Sequence, residues 1–327
     1  MSEQIQPTLN DIRQAAERLK GIAVKTPLLR SVTLSEAFEA EIFLKPENLQ
    51  RVGAFKFRGA YNRLCQLTKA EKARGVVAFS SGNHAQGVAA AAKILGIKAT
   101  IVMPSDAPVM KRDNTLSYGA KVVEYDRETE SREDIAQAIA DEQGAVVVPA
   151  FEDFDVICGQ GTVGLEIYEQ GRETDAEFDM FFSPVGGGGL MSGCATALKS
   201  LNPTLQIIGV EPEGFDDVKR SLSAGEICSN SRHTGTICDA LLTHAPGPLT
   251  LKIMQEYVDS IVTVNDAEVL IAVKYAWEKL KLVVEPGGAV TLAALLAGHL
   301  DVKGKTICLL LSGGNVDATT FARAISS

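Results

Sequence analysis

Short apolar segments rich in β-branched residues recur along the whole chain. They are EIFLK (41–45), GVVAFS (75–80), ATIVMP (99–104), AKVVEY (120–125), AVVVPA (145–150), MFFSPV (180–185), QIIGVEP (206–212), SIVTV (260–264) and TICLLLS (306–312). Because these runs are continuously apolar and do not alternate with polar residues, they predict strands that are buried on both faces.

Segments with helical periodicity lie between many of these predicted strands. In NHAQGVAAAAKILG the larger apolar positions and their neighbours fall on one side, namely Val88, Ala91, Ala92 and Leu95. SREDIAQAIADEQG and GTVGLEIYEQG show similar spacing, and a first helix is predicted near Thr8, with Asp11 as its capping-box-like partner. This alternation predicts an α/β fold of open, mostly parallel twisted sheets with helices on both faces.

The division into domains rests on the same alternation, because no repeat, low-complexity tract or long linker marks a boundary. The strand–helix units at 75–150 form a compact set. We therefore expect a small mobile domain at 53–150. Residues 1–52 and 151–327 would form a larger domain, with the functional site in the cleft between the two.

Composition and charge restrict the classes of partner. The 327 residues are 46% hydrophobic and 22% charged, with a net charge of −9. An acidic chain without basic runs argues against a nucleic-acid or anionic-membrane partner, and no charge-free apolar stretch reaches the roughly 18 residues of a membrane span. Six scattered cysteines without a CxxC pair, together with four dispersed histidines, predict a reducing, cytoplasmic location and no zinc site.

Three segments place small residues directly after a predicted strand: FSSGNHAQG (79–87), PVGGGGLMSG (184–193) and LLLSGGNVD (309–317). At such turns the backbone N–H groups and a following helix dipole attract anions. PVGGGGLMSG fits neither the dinucleotide fingerprint nor the P-loop, so it predicts a phosphate cradle of another kind, with a flexible tight turn as the alternative. SSGNHAQG suits a carboxylate, and the alternative there is N-cap serines beside a core-facing His84.

GAFKFRG (53–59) places Lys56 between two phenylalanines. Apolar surroundings disfavour the ammonium form and lower the lysine pKa, so that the neutral amine can attack a carbonyl. Taken alone, Lys56 could also be a surface lysine beside core aromatics. Together with a phosphate cradle and a carboxylate cradle, it predicts a pyridoxal-phosphate (PLP) enzyme that acts on amino acids, with Lys56 bound to the cofactor aldehyde.

The motifs ENLQRVGAFKFRGAYN, SSGNHAQG, GQGTVGLEI, PVGGGGLMSG, EPGGA and SGGNVD occur in this order along the chain. In this the chain resembles the fold-type II (β-family, tryptophan synthase β-like) PLP enzymes, and within them the group of threonine/serine dehydratases, serine racemases and 3-hydroxyaspartate ammonia-lyases. The resemblance covers roughly Ile12 to Asp317. It implies an ammonia-lyase of the carbon–oxygen lyase type, and a homodimer.

The resemblance also implies roles at the cofactor. Lys56 would form the covalent link, Phe55 would pack against the pyridine ring and Ser312 would hydrogen-bond the pyridine nitrogen. The phosphate would be bound by the backbone N–H groups of Gly186, Gly187, Gly188, Gly189 and Leu190. Asn83 would contact the 3-hydroxyl, and Glu285, in EPGGA, would also lie at the cofactor.

The resemblance places the substrate carboxylate at the turn that follows the predicted strand GVVAFS (75–80). The residues that would bind it are Ser80, Ser81, Asn83 and His84. Ser81 would face Lys56 across the cofactor plane and serve as a second catalytic group. Arg132 corresponds to an arginine near the substrate's distal end, and it would favour 3-hydroxyaspartate by binding a second carboxylate. A solvated arginine at a helix start is the alternative for Arg132.

GVEPEGFDDVKRSL resembles the divalent-cation site of the same group. Glu211 and Asp217 would supply carboxylates and Phe215 a backbone carbonyl to Mg²⁺, Ca²⁺ or Mn²⁺, in a structural or activating role. A solvated acidic loop is the alternative. The chain departs from the racemase pattern at TICDALLTHAPG, where Ala240 replaces a glycine, and Thr243 and His244 are candidate replacements for the lost contacts.

We therefore expect elimination of water from a β-hydroxy-α-amino acid, with release of a 2-keto acid and ammonia. 3-Hydroxyaspartate is the leading substrate, and L-serine and L-threonine are further candidates. Amino-acid racemisation through the same carbanion is the first alternative. A non-catalytic amino-acid sensor on the same scaffold is the second, although a sensor has no need of a reactive lysine.

Overall fold

The computed structural model describes residues 5–232 and 234–326, which contain ten strands in two sheets. The strands are β1 (Leu29–Arg30), β2 (Glu41–Pro46), β3 (Val76–Phe79), β4 (Ala99–Pro104), β5 (Lys121–Tyr125), β6 (Val146–Val147), β7 (Met180–Pro184), β8 (Gln206–Pro212), β9 (Ser260–Val264) and β10 (Thr306–Leu311). Each of the nine predicted strands is present, and the short β1 was not predicted.

Fourteen α-helices connect or flank these strands within the described residues. They are α1 (Leu9–Leu19), α2 (Val32–Phe38), α3 (Lys56–Cys65), α4 (Lys69–Arg74), α5 (Asn83–Leu95), α6 (Val109–Ser117), α7 (Arg132–Gln143), α8 (Phe154–Glu173), α9 (Gly189–Leu201), α10 (Asp217–Ala224), α11 (Pro248–Tyr257), α12 (Asp266–Tyr275), α13 (Pro286–Leu296) and α14 (Ala318–Ser326). The predicted capping box is confirmed, because Asp11 N donates to Thr8 Oγ1 and Thr8 N donates to Asp11.

The larger sheet has the strand order β1-β2-β10-β7-β8-β9, and the smaller sheet has the order β5-β4-β3-β6. All neighbouring strands run parallel except β1, which is antiparallel to β2. In the middle of the larger sheet, Leu309 of β10 stands opposite Leu44 of β2 on one side and Phe182 of β7 on the other. The α/β architecture with two mostly parallel sheets is therefore confirmed.

Alternate residues of the central strands enter separate cores on the two faces of the larger sheet. Ile307 and Leu309 belong to the core that contains α12 and α13, whereas Cys308 and Leu310 belong to the core that contains α8 and α9. The smaller sheet likewise packs against α3 and α5 on one face and α7 on the other. This two-sided burial explains why the strands appear in the sequence as continuous apolar runs.

Because parallel strands place their carboxyl ends at one edge, the turns after β7 and β10 lie together at that edge of the larger sheet. The turn after β3, in the smaller sheet, meets them at a shared pocket. Ala54 also forms an isolated bridge with Gly313, which joins the start of α3 to the segment after β10. None of the helices among the described residues has the length and apolar character needed to cross a lipid bilayer.

Candidate active site

A pocket opens where the turns after β3, β7 and β10 meet. Thirteen of the predicted catalytic, cofactor and substrate residues line it: Phe55, Lys56, Ser80, Ser81, Asn83, His84, Arg132, Gly186, Gly187, Gly188, Gly189, Leu190 and Ser312. Glu285 lies behind this surface, and the predicted cation ligands lie outside the pocket.

Lys56 is the first residue of α3 and lines the pocket with a partly exposed side chain. Its Nζ donates a hydrogen bond to the carbonyl oxygen of Ala150 at 2.8 Å and lies 5.1 Å from the centre of the Phe55 ring. Burial lowers the pKa of Lys56 to about 8. No carboxylate among the described residues offsets this effect at Lys56.

The four-glycine turn connects β7 to α9, and its last residue is the first residue of the helix. Gly188 has a φ of +88°, which favours glycine. A Cβ on Gly187 would lie 2.4 Å from the ring of Phe151, and one on Gly189 would lie 2.9 Å from the Phe151 Cα. Side chains are thus excluded from the turn, and its backbone N–H groups at the start of α9 are available to an anion.

The turn at 80–84 leads into α5, whose N-cap is Gly82. Gly82 N donates to Ser80 Oγ at 3.1 Å, which folds the turn, while Ser81 remains partly exposed to the pocket. The N-cap lacks a side-chain hydrogen bond, so the first N–H groups of α5 are available to an anion. A carboxylate fits this position.

His84 is buried, and its Nε2 lies 2.9 Å from the carbonyl oxygen of Val148. A carbonyl only accepts hydrogen bonds, so Nε2 carries the proton and Nδ1 does not. Burial, and secondarily the charge of Lys56, lowers the pKa of His84 to about 3. Its side chain is therefore neutral and cannot donate from Nδ1, so His84 can assist a carboxylate only through its backbone N–H.

Asn83 is held at both ends of its amide. Its Nδ2 donates to Glu285 Oε1 at 2.5 Å, and its Oδ1 accepts from Asn315 Nδ2 at 2.8 Å. Glu285 Oε2 is buried without a hydrogen-bond partner, and burial raises the pKa of Glu285 to about 7. Glu285 thus fixes the orientation of Asn83 instead of facing the pocket itself.

Ser312 directly follows β10, and its carbonyl oxygen accepts a hydrogen bond from Phe55 N at 3.2 Å. This bond ties the start of α3 to the larger sheet. Both residues line the pocket beside Lys56. The pocket lining thus includes an aromatic side chain and a hydroxyl side chain in addition to Lys56 and the four-glycine turn.

Arg132 begins α7 at the rim of the pocket. Its guanidinium lies over the ring of Phe79, 5.4 Å from the ring centre, and its Nε pairs with the exposed Glu133 at 2.8 Å. An exposed ion pair of this kind is weak. A substrate carboxylate could therefore replace Glu133 at low cost.

Three pocket residues have no signal in the sequence. Lys111 extends from α6 and forms an ion pair with Asp239, in the short 3₁₀ turn Asp239–Leu241, and Phe151 packs under the glycine turn. Lys111 occupies an ordinary position in an amphipathic helix, and only the tertiary structure brings it to Asp239. Thr243, in the segment where the chain departs from the racemase pattern, also lines the pocket.

The predicted cation ligands lie together at the end of β8. The two oxygens of Glu211 accept hydrogen bonds from Val218 N at 3.0 Å and Lys219 N at 2.8 Å. Asp217 Oδ2 is buried without a partner, and Phe215 is buried beside the loop. Burial raises the pKa of Asp217 to about 6 and, together with the charge of Asp217, raises the pKa of Glu211 well above its usual range.

Two buried carboxyl groups with an unpartnered oxygen fit a hard divalent cation. Within the described ranges, no group of three or more His, Cys, Asp and Glu side chains is arranged as a metal site. A cation at Glu211 and Asp217 would therefore need backbone carbonyls and water as its remaining ligands.

Comparison with known proteins gives a family match over most of the chain. The model of a family described as "Pyridoxal-phosphate dependent enzyme" matches residues 20–313. The L-threo-3-hydroxyaspartate ammonia-lyase of Saccharomyces cerevisiae is 44% identical over 98% of this chain and 97% of its own. The serine racemase of Schizosaccharomyces pombe is 43% identical, with 98% of each chain covered.

Solved structures show the same relationship. Maize serine racemase superimposes with a TM-score of 0.92 at 38% identity and covers 98% of each chain. The threonine deaminase of T.th. has a TM-score of 0.90 at 43% identity, with 95% of this chain and 99% of the other covered. Relatives of similar identity thus carry different activities, and identity alone does not select among them.

Proposed function

This chain belongs to the fold-type II family of pyridoxal-phosphate dependent enzymes, and on that premise we propose that it is an ammonia-lyase that removes water from a β-hydroxy-α-amino acid. The observation that carries the proposal is the pairing of Lys56 with the four-glycine turn in one pocket. In the part of the chain that the structure describes, the amine has no carboxylate partner, and the turn has no side chains. We infer that the pocket offers a nucleophile and an anion site to one ligand.

The residues present fit PLP. The backbone N–H groups of Gly186–Gly189 and Leu190 would hold its phosphate, and the close packing of Phe151 against Gly187 and Gly189 supports the turn from behind. Phe55 and Ser312 would hold its ring, and Asn83 its 3-hydroxyl. Bound PLP supplies an aldehyde that condenses with amines and a ring that delocalises negative charge from the substrate Cα.

Lys56 is the group that moves the Cα proton in this proposal. With a pKa of about 8, about a quarter of its amines are neutral at pH 7.5, against about one in a thousand for an ordinary lysine. A neutral amine with a pKa near the working pH is an effective general base. The hydrogen bond to the Ala150 carbonyl holds Nζ within the pocket while it is free.

The substrate carboxylate would bind at the start of α5, on the first backbone N–H groups and the hydroxyls of Ser80 and Ser81. The hydrogen-bonded Asn83 fixes this turn through Glu285 and Asn315. Since His84 is neutral, it adds no charge that would bind the carboxylate too tightly. The expected effect is orientation of the Cα–H bond toward Lys56.

We propose 3-hydroxyaspartate as the leading substrate, and L-serine and L-threonine as further candidates. Arg132 supports this choice, because its weakly paired guanidinium lies at the rim, where the distal carboxylate of 3-hydroxyaspartate would lie. The product would be oxaloacetate. Replacement of Arg132 by Ala should then raise the KM for 3-hydroxyaspartate far more than the KM for serine.

Amino-acid racemisation is the alternative function, and the partly exposed Ser81 favours it. A second acid–base group in the pocket could return a proton to the opposite face of Cα. In Ser81→Ala we expect racemisation to fall while elimination persists. Chiral analysis of unreacted substrate separates the two activities.

A divalent cation at Glu211, Phe215 and Asp217 is part of the proposal, in a structural or activating role, as is assembly into a homodimer with the small domain at 53–150 closing over the substrate. The functional test is a keto-acid release assay across the stereoisomers of 3-hydroxyaspartate, serine and threonine, with Mg²⁺ or with chelator. Turnover of one 3-hydroxyaspartate isomer above that of serine and threonine supports the proposal. Absence of keto acid from all of them contradicts it.

A further inference from the structure

Asn230 is a buried asparagine between the acidic loop at Glu211 and Asp217 and the wall of the pocket. Its Nδ2 donates to Asp217 Oδ1 at 2.7 Å and to the carbonyl oxygen of Thr243 at 2.9 Å. Its backbone N–H donates to the carbonyl oxygen of His244 at 2.7 Å. Asn230 thus connects the candidate cation site to Thr243 and His244, two consecutive residues of the segment 239–246, which we call the pocket segment.

The orientation of the Asn230 amide is determined by its neighbours. Oδ1 accepts a hydrogen bond from the Arg220 guanidinium at 2.6 Å, and both protons of Nδ2 are used. A flipped amide would place its oxygen against the Asp217 carboxylate and the Thr243 carbonyl, with its nitrogen against a cation. The amide therefore forms a link of fixed orientation between Asp217 and Thr243.

The pocket segment, which Asn230 contacts on the side away from Asp217, reaches the pocket. Thr243 lines it, and Thr243 Oγ1 is 3.0 Å from the position that a Cβ on Gly186 would occupy. Asp239, in the same segment, pairs with Lys111 across the pocket. A shift of the pocket segment would therefore change the space beside Gly186, the first glycine of the four-glycine turn.

At the acidic end, Asp217 has one oxygen bonded to Asn230 and one buried oxygen without a partner. A cation that binds the free oxygen would fix the carboxylate, and with it the position of the Asn230 amide. A ligand changes a distant segment only through contacts that differ between two states of the protein. Asn230 is the residue through which such a difference at Asp217 would reach the segment 239–246.

We propose that Asn230 is a positioning residue that couples cation occupancy at Glu211 and Asp217 to the position of the pocket segment 239–246. The inference rests on the proposed cation site. It assigns Asn230 no contact with substrate or cofactor. Removal of its side chain should leave cation binding in place and disconnect the pocket segment from it.

The test is hydrogen–deuterium exchange of the holoenzyme, with and without MgCl₂ alone, read in peptides that cover 211–219 and 239–246. In the wild type we expect Mg²⁺ to slow exchange in both segments, by at least about fivefold in 239–246, the lower end of typical couplings between sites. In Asn230→Ala we expect protection of 211–219 to persist and protection of 239–246 to fall below about twofold. Asn202→Ala, which removes an asparagine bonded to the Phe178 carbonyl, is the matched control and should behave as wild type.

Two results would overturn the coupling. One is full protection of 239–246 by Mg²⁺ in Asn230→Ala; the other, which needs no variant, is wild-type protection of 211–219 without protection of 239–246. If Mg²⁺ protects neither segment, the cation site and the coupling are both wrong. In that case keto-acid release by the same sample shows whether the proposed lyase activity stands without them.

Discussion

Two regions at the two faces of α3 treat their charged side chains in opposite ways. In the charged cluster formed by Lys45, Glu47, Arg58 and Glu166, each charge is paired: Lys45 Nζ lies 2.6 Å from Glu166, and Arg58 bonds to both glutamates at 2.7 to 2.9 Å. In the pocket, the one hydrogen-bond partner of Lys56 Nζ among the described residues is the Ala150 carbonyl. Lys56 in the pocket and Arg58 in the charged cluster are only two positions apart in the sequence.

The two regions differ in whether carboxylates offset the effect of burial on a lysine. Burial lowers the pKa of Lys45 as well, but Glu166 and Glu47 counter that effect, and the cluster links β2 to α3 and α8. Nothing comparable counters burial at Lys56, whose pKa falls to about 8. A lysine left without a carboxylate has a substantial neutral fraction and can act as a nucleophile or base.

The largest expected effect comes from Lys56→Ala. Removal of the amine removes both the link to the cofactor and the proposed base, so we expect kcat for keto-acid release to fall by at least about 10³-fold, within the range for lost acid–base catalysis. The visible absorption of the bound cofactor should change as well. Normal turnover in this variant would remove Lys56 from the mechanism.

Lys45→Met should lower the stability of the protein and leave its activity nearly unchanged, which is the reverse of the effect expected for Lys56→Ala. Removal of one member of a buried ion-pair cluster leaves Glu166 undercompensated, and we expect the free energy of unfolding to fall by about 3 kcal/mol. Denaturant titration measures the loss. Activity per folded molecule should stay within about twofold of wild type, and selective loss of activity with unchanged stability would contradict the distinction between the two regions.

Gly187→Ala tests the phosphate end of the pocket. Because the added Cβ would lie 2.4 Å from the Phe151 ring, we expect the turn to shift and the Kd for PLP to rise by at least about tenfold, or about 1.4 kcal/mol. Equilibrium binding to the apoprotein measures it. Gly298→Ala, at a glycine with a φ of +73° and open space around it, is the control for backbone strain and should leave the Kd unchanged.

The smallest effect is a pH dependence. Only the neutral amine attacks an aldehyde, and the pKa of Lys56 is lowered, so the rate of PLP uptake by the apoprotein should rise as pH rises through about 8. Between pH 7 and 9 the neutral fraction, and with it the rate, increases by about tenfold. Stopped-flow absorbance measures this rate. A rate that continues to climb to pH 10 would show an ordinary lysine.

The sequence predicts the sheets and the members of the pocket well, because both depend on local patterns. Continuous apolar runs indicate strands buried on both faces, and the glycine-rich turns after strands indicate which segments meet at the pocket. It did not predict β1, whose two residues, Leu29 and Arg30, are exposed and form no apolar run. A strand can be predicted from the sequence when its burial requires a run of apolar residues, and an exposed strand such as β1 has no such run.

Long-range partners could not be predicted in the same way. Nothing local shows that Lys111 pairs with Asp239, that Glu285 holds Asn83, or that Arg58 joins a charged cluster while Lys56 remains unpaired. These contacts depend on side chains up to 202 positions apart. The local sequence GAFKFRG indicates an unusual lysine, and only the structure shows which of the two neighbouring cations is compensated.

The most direct test of the central claim is chemical trapping of the cofactor. The PLP-loaded enzyme is reduced with sodium borohydride and digested, and the peptides are analysed by mass spectrometry. We predict that the phosphopyridoxyl group lies on Lys56 alone. A label on Lys111 or Lys45, or no covalent label on a chain that has bound PLP, would contradict the claim that the uncompensated amine at position 56 is the reactive group.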